Sequence, residues 1–83
     1  MVDGADGDSK MLQELDVKGL NCPLPLLKAK QMLNGMDKGD TLKVWATDAG
    51  SVRDFRVFCE LSGNVLLESD EHDGLFIYLL QKS

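Results

Sequence analysis

The chain has 83 residues, 43% hydrophobic and 28% charged, which fits one small globular domain with a modest core and leaves no room for a large internal cavity. A net charge of −5, with no Lys/Arg run interleaved with aromatics, argues against direct nucleic-acid binding, since phosphates need cationic neutralisation. No apolar run approaches the roughly 20 residues that span a bilayer, and the start of the chain has neither a basic nor an apolar signal region, so a cytoplasmic protein without a membrane partner is expected.

Residues 1–10, with Gly4, Gly7 and the acidic Asp3, Asp6 and Asp8, are polar and without periodicity, and read as a flexible N-terminal tail ahead of a single domain at 11–83. Leu15 and Val17 alternate with Glu14 and Asp16, which predicts a short strand over 13–17. Gly19 then serves either to turn the chain at an unusual φ or to let a partner's backbone approach. Proline is tolerated at the first helical position, so Pro23 reads as that position and Cys22 as the cap of a helix over 23–36, with Asn34-Gly35 as its stop signal.

A turn at 37–40 leads to a strand over 41–47, in which Leu42, Val44 and Ala46 alternate with Lys43 and Trp45. Gly50 supplies a bend, Ser51 an N-cap, and 52–62 a second helix closed by Gly63-Asn64. Strands over 65–69 and 75–81, joined by an acidic turn at 70–74, complete a hairpin. The order βαβαββ, with right-handed crossovers, predicts an α/β (α+β) two-layer sandwich: a four-stranded mixed sheet with both helices on one face. With Phe76, Tyr78 and Leu80 inward, Ile77 and Leu79 share the open face with Trp45, as either a contact patch or a scatter of surface hydrophobes.

Cys22 is the residue at which chemistry is expected. A thiol at a helix start meets unsatisfied N–H groups and the positive end of the dipole, which favour the thiolate, and Lys28 and Lys30 add a positive field. The same pattern also suits an unreactive cysteine that only caps a helix, and spacing alone leaves both readings open. Pro23 and Pro25 stiffen the approach and remove competing N–H donors. Cys59 shares a helical apolar stripe with Phe55 and Phe58, which predicts burial; its other reading is a resolving thiol for Cys22. Two separated cysteines and one histidine, His72 in the hairpin turn, make no metal set, and no cofactor is expected.

The segment Leu15-Asp16-Val17-Lys18-Gly19-Leu20-Asn21-Cys22-Pro23-Leu24-Pro25 resembles the signature of the TusA/SirA-like family of small sulfur carriers, in which Cys-Pro-x-Pro follows a short strand and a glycine. Residues 46–54 resemble the family's second strand-to-helix junction, and 63–66 and 73–76 its two C-terminal strands, so the likeness covers about 12–82. It implies a sulfurtransferase-type carrier, and a monomer without cofactor or metal is expected. Cys22 would take a sulfane sulfur as a persulfide from a donor protein, such as a cysteine desulfurase or rhodanese, and pass it to an acceptor protein. Family relatives are associated with tRNA 2-thiouridine formation, molybdenum-cofactor work and sulfur oxidation; in the first case a partner must hold the tRNA.

Arg53 and Asp54 resemble a charged pair at the start of the family's second helix. With Lys28 and Asp48 they are candidates for partner docking, the other reading of the pair being an exposed salt bridge. Asn21 and Leu24 depart from the basic and acidic residues found in some relatives, which bears on partner identity. Two other functions remain in view: a regulatory or scaffolding module in which Cys22 is only a helix cap and the open sheet face binds a partner, and a thiol redox enzyme using Cys22 and Cys59, against which stands the lack of a Cys-x-x-Cys motif.

Overall fold

Period-two and helical patterning produce six elements in the anticipated order: β1 (Leu12–Asp16), α1 (Leu24–Asn34), β2 (Thr41–Ala46), α2 (Ser51–Ser62), β3 (Val65–His72) and β4 (Leu75–Gln81). The computed structural model describes residues 11–83, and the tail expected at 1–10 lies outside the described residues. The four strands form one mixed sheet in the order β1-β2-β4-β3, with β1 and β2 parallel and β4 antiparallel to both β2 and β3. Both crossovers, β1 to β2 and β2 to β3, travel the same way across the sheet, so a single hand places both helices on one face.

That face is the core. Leu42, Val44 and Ala46 of β2 and Phe76, Tyr78 and Leu80 of β4 bury themselves against Ala29 and Leu33 of α1 and Phe55 and Cys59 of α2. The rings of Phe55 and Tyr78 stack with centroids 4.6 Å apart, adding an aromatic contact to the area buried. On the open face Trp45 lies opposite Ile77 and Lys43 opposite Leu79, and all four are half-buried. The Lys43 ammonium sits 5.3 Å from the Trp45 ring centroid, so a charge interrupts the apolar strip expected there.

Most boundaries move by a residue or two from the sequence reading, and two of the changes have clear physical reasons. Helix α1 begins at Leu24, with Pro23 rather than Cys22 at the cap position, and Pro25 lies buried in the first turn instead of merely stiffening it. Strand β3 continues to His72, because the turn is only Asp73-Gly74, at φ 50° and 85°. A two-residue hairpin needs positive φ at both positions, which Asp-Gly supplies at small cost. Asp70 and Glu71, expected in that turn, are therefore strand residues, and with Glu68 they put charge along an edge that would otherwise invite pairing. The buried Asp40 carboxylate accepts the N–H groups of Met11 (3.1 Å) and Asp37 (3.0 Å), fixing the start of β1 to the turn before β2.

Burial pushes both the Cys59 thiol and the Tyr78 hydroxyl up. The folded chain therefore holds these protons more tightly than the unfolded chain. Their stabilising contribution is complete below the unfolded thiol value near 8.5 and is lost as pH rises through the folded values. Urea midpoints should accordingly fall above about pH 8.5, and fall less steeply in Cys59→Ala; a wild-type midpoint that stays level to about pH 10.5 would contradict this.

Candidate functional site

Because β1 and β2 are parallel, the loops that follow them emerge at the same edge of the sheet, and this is what brings Cys22 to Asp48 and Asp54. Gly19, at φ 85°, turns the first loop and donates its N–H to Thr47 Oγ1 in the second at 2.9 Å. An added Cβ at Gly19 would meet nothing within 4 Å, so the glycine serves the turn. Cys22 is exposed and the Cys22–Pro23 peptide bond is cis. The Cys22 N–H donates to Asp48 Oδ2 at 3.2 Å, and its Sγ donates to Asp54 Oδ2 at 2.6 Å.

The second loop is held from below. The Asp48 carbonyl accepts both the N–H (3.0 Å) and the Oγ–H (2.6 Å) of Ser51. With its own proton committed there, Ser51 Oγ accepts a hydrogen bond from the Tyr78 hydroxyl at 2.7 Å, which ties the loop to β4. Ser51 is thus a buried bridge inside α2; the cap position expected for it belongs to Gly50. A Cβ at Gly50 would stand 3.0 Å from Asp48 Oδ2 and 3.5 Å from Cys22 Cβ, so a side chain there would crowd the Asp48 carboxylate.

The electrostatics reverse the sequence expectation. The Cys22 thiol is held above its usual value, first by its hydrogen bond to Asp54, then by desolvation, then by the charges of Asp54 and Asp48. Of the donors at the helix end, the Leu26 N–H is the one without a backbone partner. Pro25 has no N–H, and the N–H groups of Leu24 and Leu27 are already bonded to the carbonyls of Asn21 (2.8 Å) and Pro23 (3.0 Å). No side chain caps α1, so the cap role for Cys22 is corrected along with the depressed thiol. Lys30 places its ammonium 5.9 Å from the Phe58 ring centroid, while Lys28 is exposed and without a hydrogen bond or ion pair among the described residues. Arg53 and Asp54 form no ion pair; among the described residues the one ion pair is Lys18 with Asp16 at 3.6 Å.

Exposed apolar side chains stand on the first turns of both helices. Leu24 and Leu27 in the first turns of α1 and Val52 in that of α2 are exposed, and a cleft of about 650 Å3 between the helices is lined by Leu26, Val57, Phe58 and Leu61, with Asp54 also contributing. Cys59 is free and only 7% exposed, turned into the core as its helical spacing predicts. No group of three metal-ligating side chains occurs among the described residues, and no helix there is long and apolar enough to cross a membrane. Gly50, Ser51 and Tyr78 were not legible as site residues, because the contacts that give them a role join segments distant in sequence.

Fold and site together define a small protein that presents one free thiol at the carboxyl edge of a parallel strand pair. Residues 13–82 match the family described as Sulfurtransferase TusA. The chain is 56% identical over 71 residues to the sulfur carrier protein TusA of Allochromatium vinosum, covering 86% of this chain and 93% of that one. It is 41% identical over 68 residues to the sulfur carrier protein TusA of Pseudomonas putida, covering 82% and 85%. The crystal structure of a SirA-like protein from Desulfitobacterium hafniense superimposes with a TM-score of 0.75 at 25% identity, over 86% of this chain and 96% of that one. The chain belongs to the TusA family of sulfur carriers.

The geometry makes two checks available. Ser51→Ala leaves the Tyr78 hydroxyl buried without its partner and should cost about 1–3 kcal/mol in urea unfolding. Gly50→Ala should push the Asp48 carboxylate off the Cys22 N–H, seen as faster amide exchange at Cys22; a Cys22 amide as protected as in wild type would contradict the tight approach.

Proposed function

We propose that this carrier receives a sulfane sulfur on Cys22 as a persulfide, from a donor protein of the cysteine desulfurase or rhodanese type, and relays it to an acceptor protein. The observation that carries the reading is an exposed sulfur on a backbone fixed by Asp48, while the second cysteine is turned into the core. A thiol so placed can enter a partner's active site, and thiol–persulfide exchange depends on that access. The apolar fringe of Leu24, Leu27 and Val52 supports a macromolecular partner over a small metabolite, and Lys28, Asp48, Arg53 and Asp54 lie on the helices and loop that such a partner would meet. The protein acts as a monomer in the cytoplasm, where free thiols persist. It needs no cofactor or metal, and its net charge of −5 leaves any RNA to be held by the acceptor.

Incubation with a cysteine desulfurase and cysteine, followed by intact-mass measurement, tests the proposal. Wild type and Cys59→Ser should gain one sulfur that reductant removes, and Cys22→Ser should gain none. Equal gain in Cys22→Ser would overturn the assignment of the sulfur site.

A further inference from the structure

The geometry points to Asp54 as a latch on Cys22: its carboxylate holds the Sγ proton in the free carrier, and a cationic group presented by a sulfur donor or acceptor pairs with that carboxylate and releases the thiolate. This rests on the carrier reading for the identity of the partner. The latch itself rests on the contact between Cys22 and Asp54.

Cys22 Sγ lies within hydrogen-bond reach of Asp54 Oδ2, so a thiol there donates to the carboxylate, whereas a thiolate beside it would be repelled. A thiol is a far weaker acid than a carboxylic acid, so the proton resides on sulfur. The charges around it point the same way. Asp48 faces Cys22 from the β2–α2 loop and Asp54 from the first turn of α2, while Tyr78 is occupied with Ser51 behind the loop. No cation forms an ion pair with either carboxylate among the described residues: Arg53 is exposed beside Asp54 without pairing, Lys28 is exposed on α1, and Lys30 lies over Phe58. A thiolate formed here unaided would stand beside two negative charges. The free carrier therefore keeps its sulfur neutral and slow to react with adventitious electrophiles.

A docked partner changes that balance. Asp54 is half-buried and lines the cleft between α1 and α2, so its carboxylate remains reachable, and covering the surrounding Leu24, Leu27 and Val52 would exclude water from the pair it makes. An Arg or Lys placed against Asp54 then acts in a lower dielectric and removes both the proton acceptor and the opposing charge. In the transfer step Cys22 Sγ forms a bond to the outer sulfur of the donor's persulfide, and the donor's S–S bond breaks. The donor cysteine leaves as a thiolate and takes up the proton released from Cys22. One persulfide and one thiol are consumed, one of each is formed, and no oxidant is required.

The experiment uses small probes that report on the sulfur alone. Alkylation of Cys22 by iodoacetamide is followed by mass against pH. Asp54→Asn should move the profile to lower pH and raise the rate at pH 7 at least about threefold, since a gain in thiolate is only partly offset by the lower basicity of the sulfur; Asp54→Glu should stay close to wild type. On wild type itself, cystamine, a dication, should form the mixed disulfide at least about tenfold faster than the matched dianion 3,3′-dithiodipropionate at low ionic strength, with the gap narrowing in salt and in Asp54→Asn. Equal rates for the two disulfides on wild type, or an alkylation profile unmoved by Asp54→Asn, would overturn the latch. A protein that accepts sulfur but shows neither effect retains the carrier function without the latch, and one that shows both effects but accepts no sulfur loses the carrier function alone.

Discussion

The hydrogen-bond chain from Tyr78 through Ser51 to the Asp48 carbonyl is the constraint on which the rest of the site depends. Tyr78 lies wholly inside the core, stacked on Phe55, and its hydroxyl is the point where the apolar interior passes into the polar edge. A buried hydroxyl left unpaired is costly, so the chain specifies one position for the β2–α2 loop. From that position Asp48 reaches the Cys22 N–H and Asp54 reaches its sulfur. The loop that carries Cys22 exposes most of its residues between Lys18 and Pro23, so its order is borrowed from the neighbouring loop.

A sulfur carrier faces two opposed requirements. In the proposed relay the thiol has to be exposed enough to enter another protein's active site, yet an exposed thiolate in the free state would react with whatever it met. Cys22 is exposed and has a carboxylate against its sulfur that disfavours ionisation. Access and reactivity are set by different parts of the molecule: access by the strand-to-helix loop, reactivity by the first turn of the other helix.

The helix N-terminus illustrates how a general expectation yields to local accounting. A cysteine at the start of a helix invites the inference of a depressed thiol, through unsatisfied N–H groups and the dipole. Here the Asn21 and Pro23 carbonyls take two of those donors and Pro25 supplies none, which leaves the Leu26 N–H. A single direct hydrogen bond to a carboxylate outweighs what is left. The acidic residue that tips the balance is itself in the first turn of α2, where a negative charge favours that helix.

The sequence by itself determined the elements and their order, since the alternation of Leu42, Val44 and Ala46, of Phe76, Tyr78 and Leu80, and the glycine stops at Gly35 and Gly63 are local patterns that local physics reads directly. It also singled out Cys22 as the exposed thiol and Cys59 as the buried one. The extent of β3 was misread because the Asp73-Gly74 turn is shorter than the acidic run around it, and the first helical position was misread because proline suits both the cap and the first turn. The protonation bias of Cys22 was decided only by tertiary structure. Asp54 lies 32 positions away in the chain, and it reaches the sulfur because parallel pairing of β1 and β2 sends both loops to one edge, a contact that no local pattern encodes.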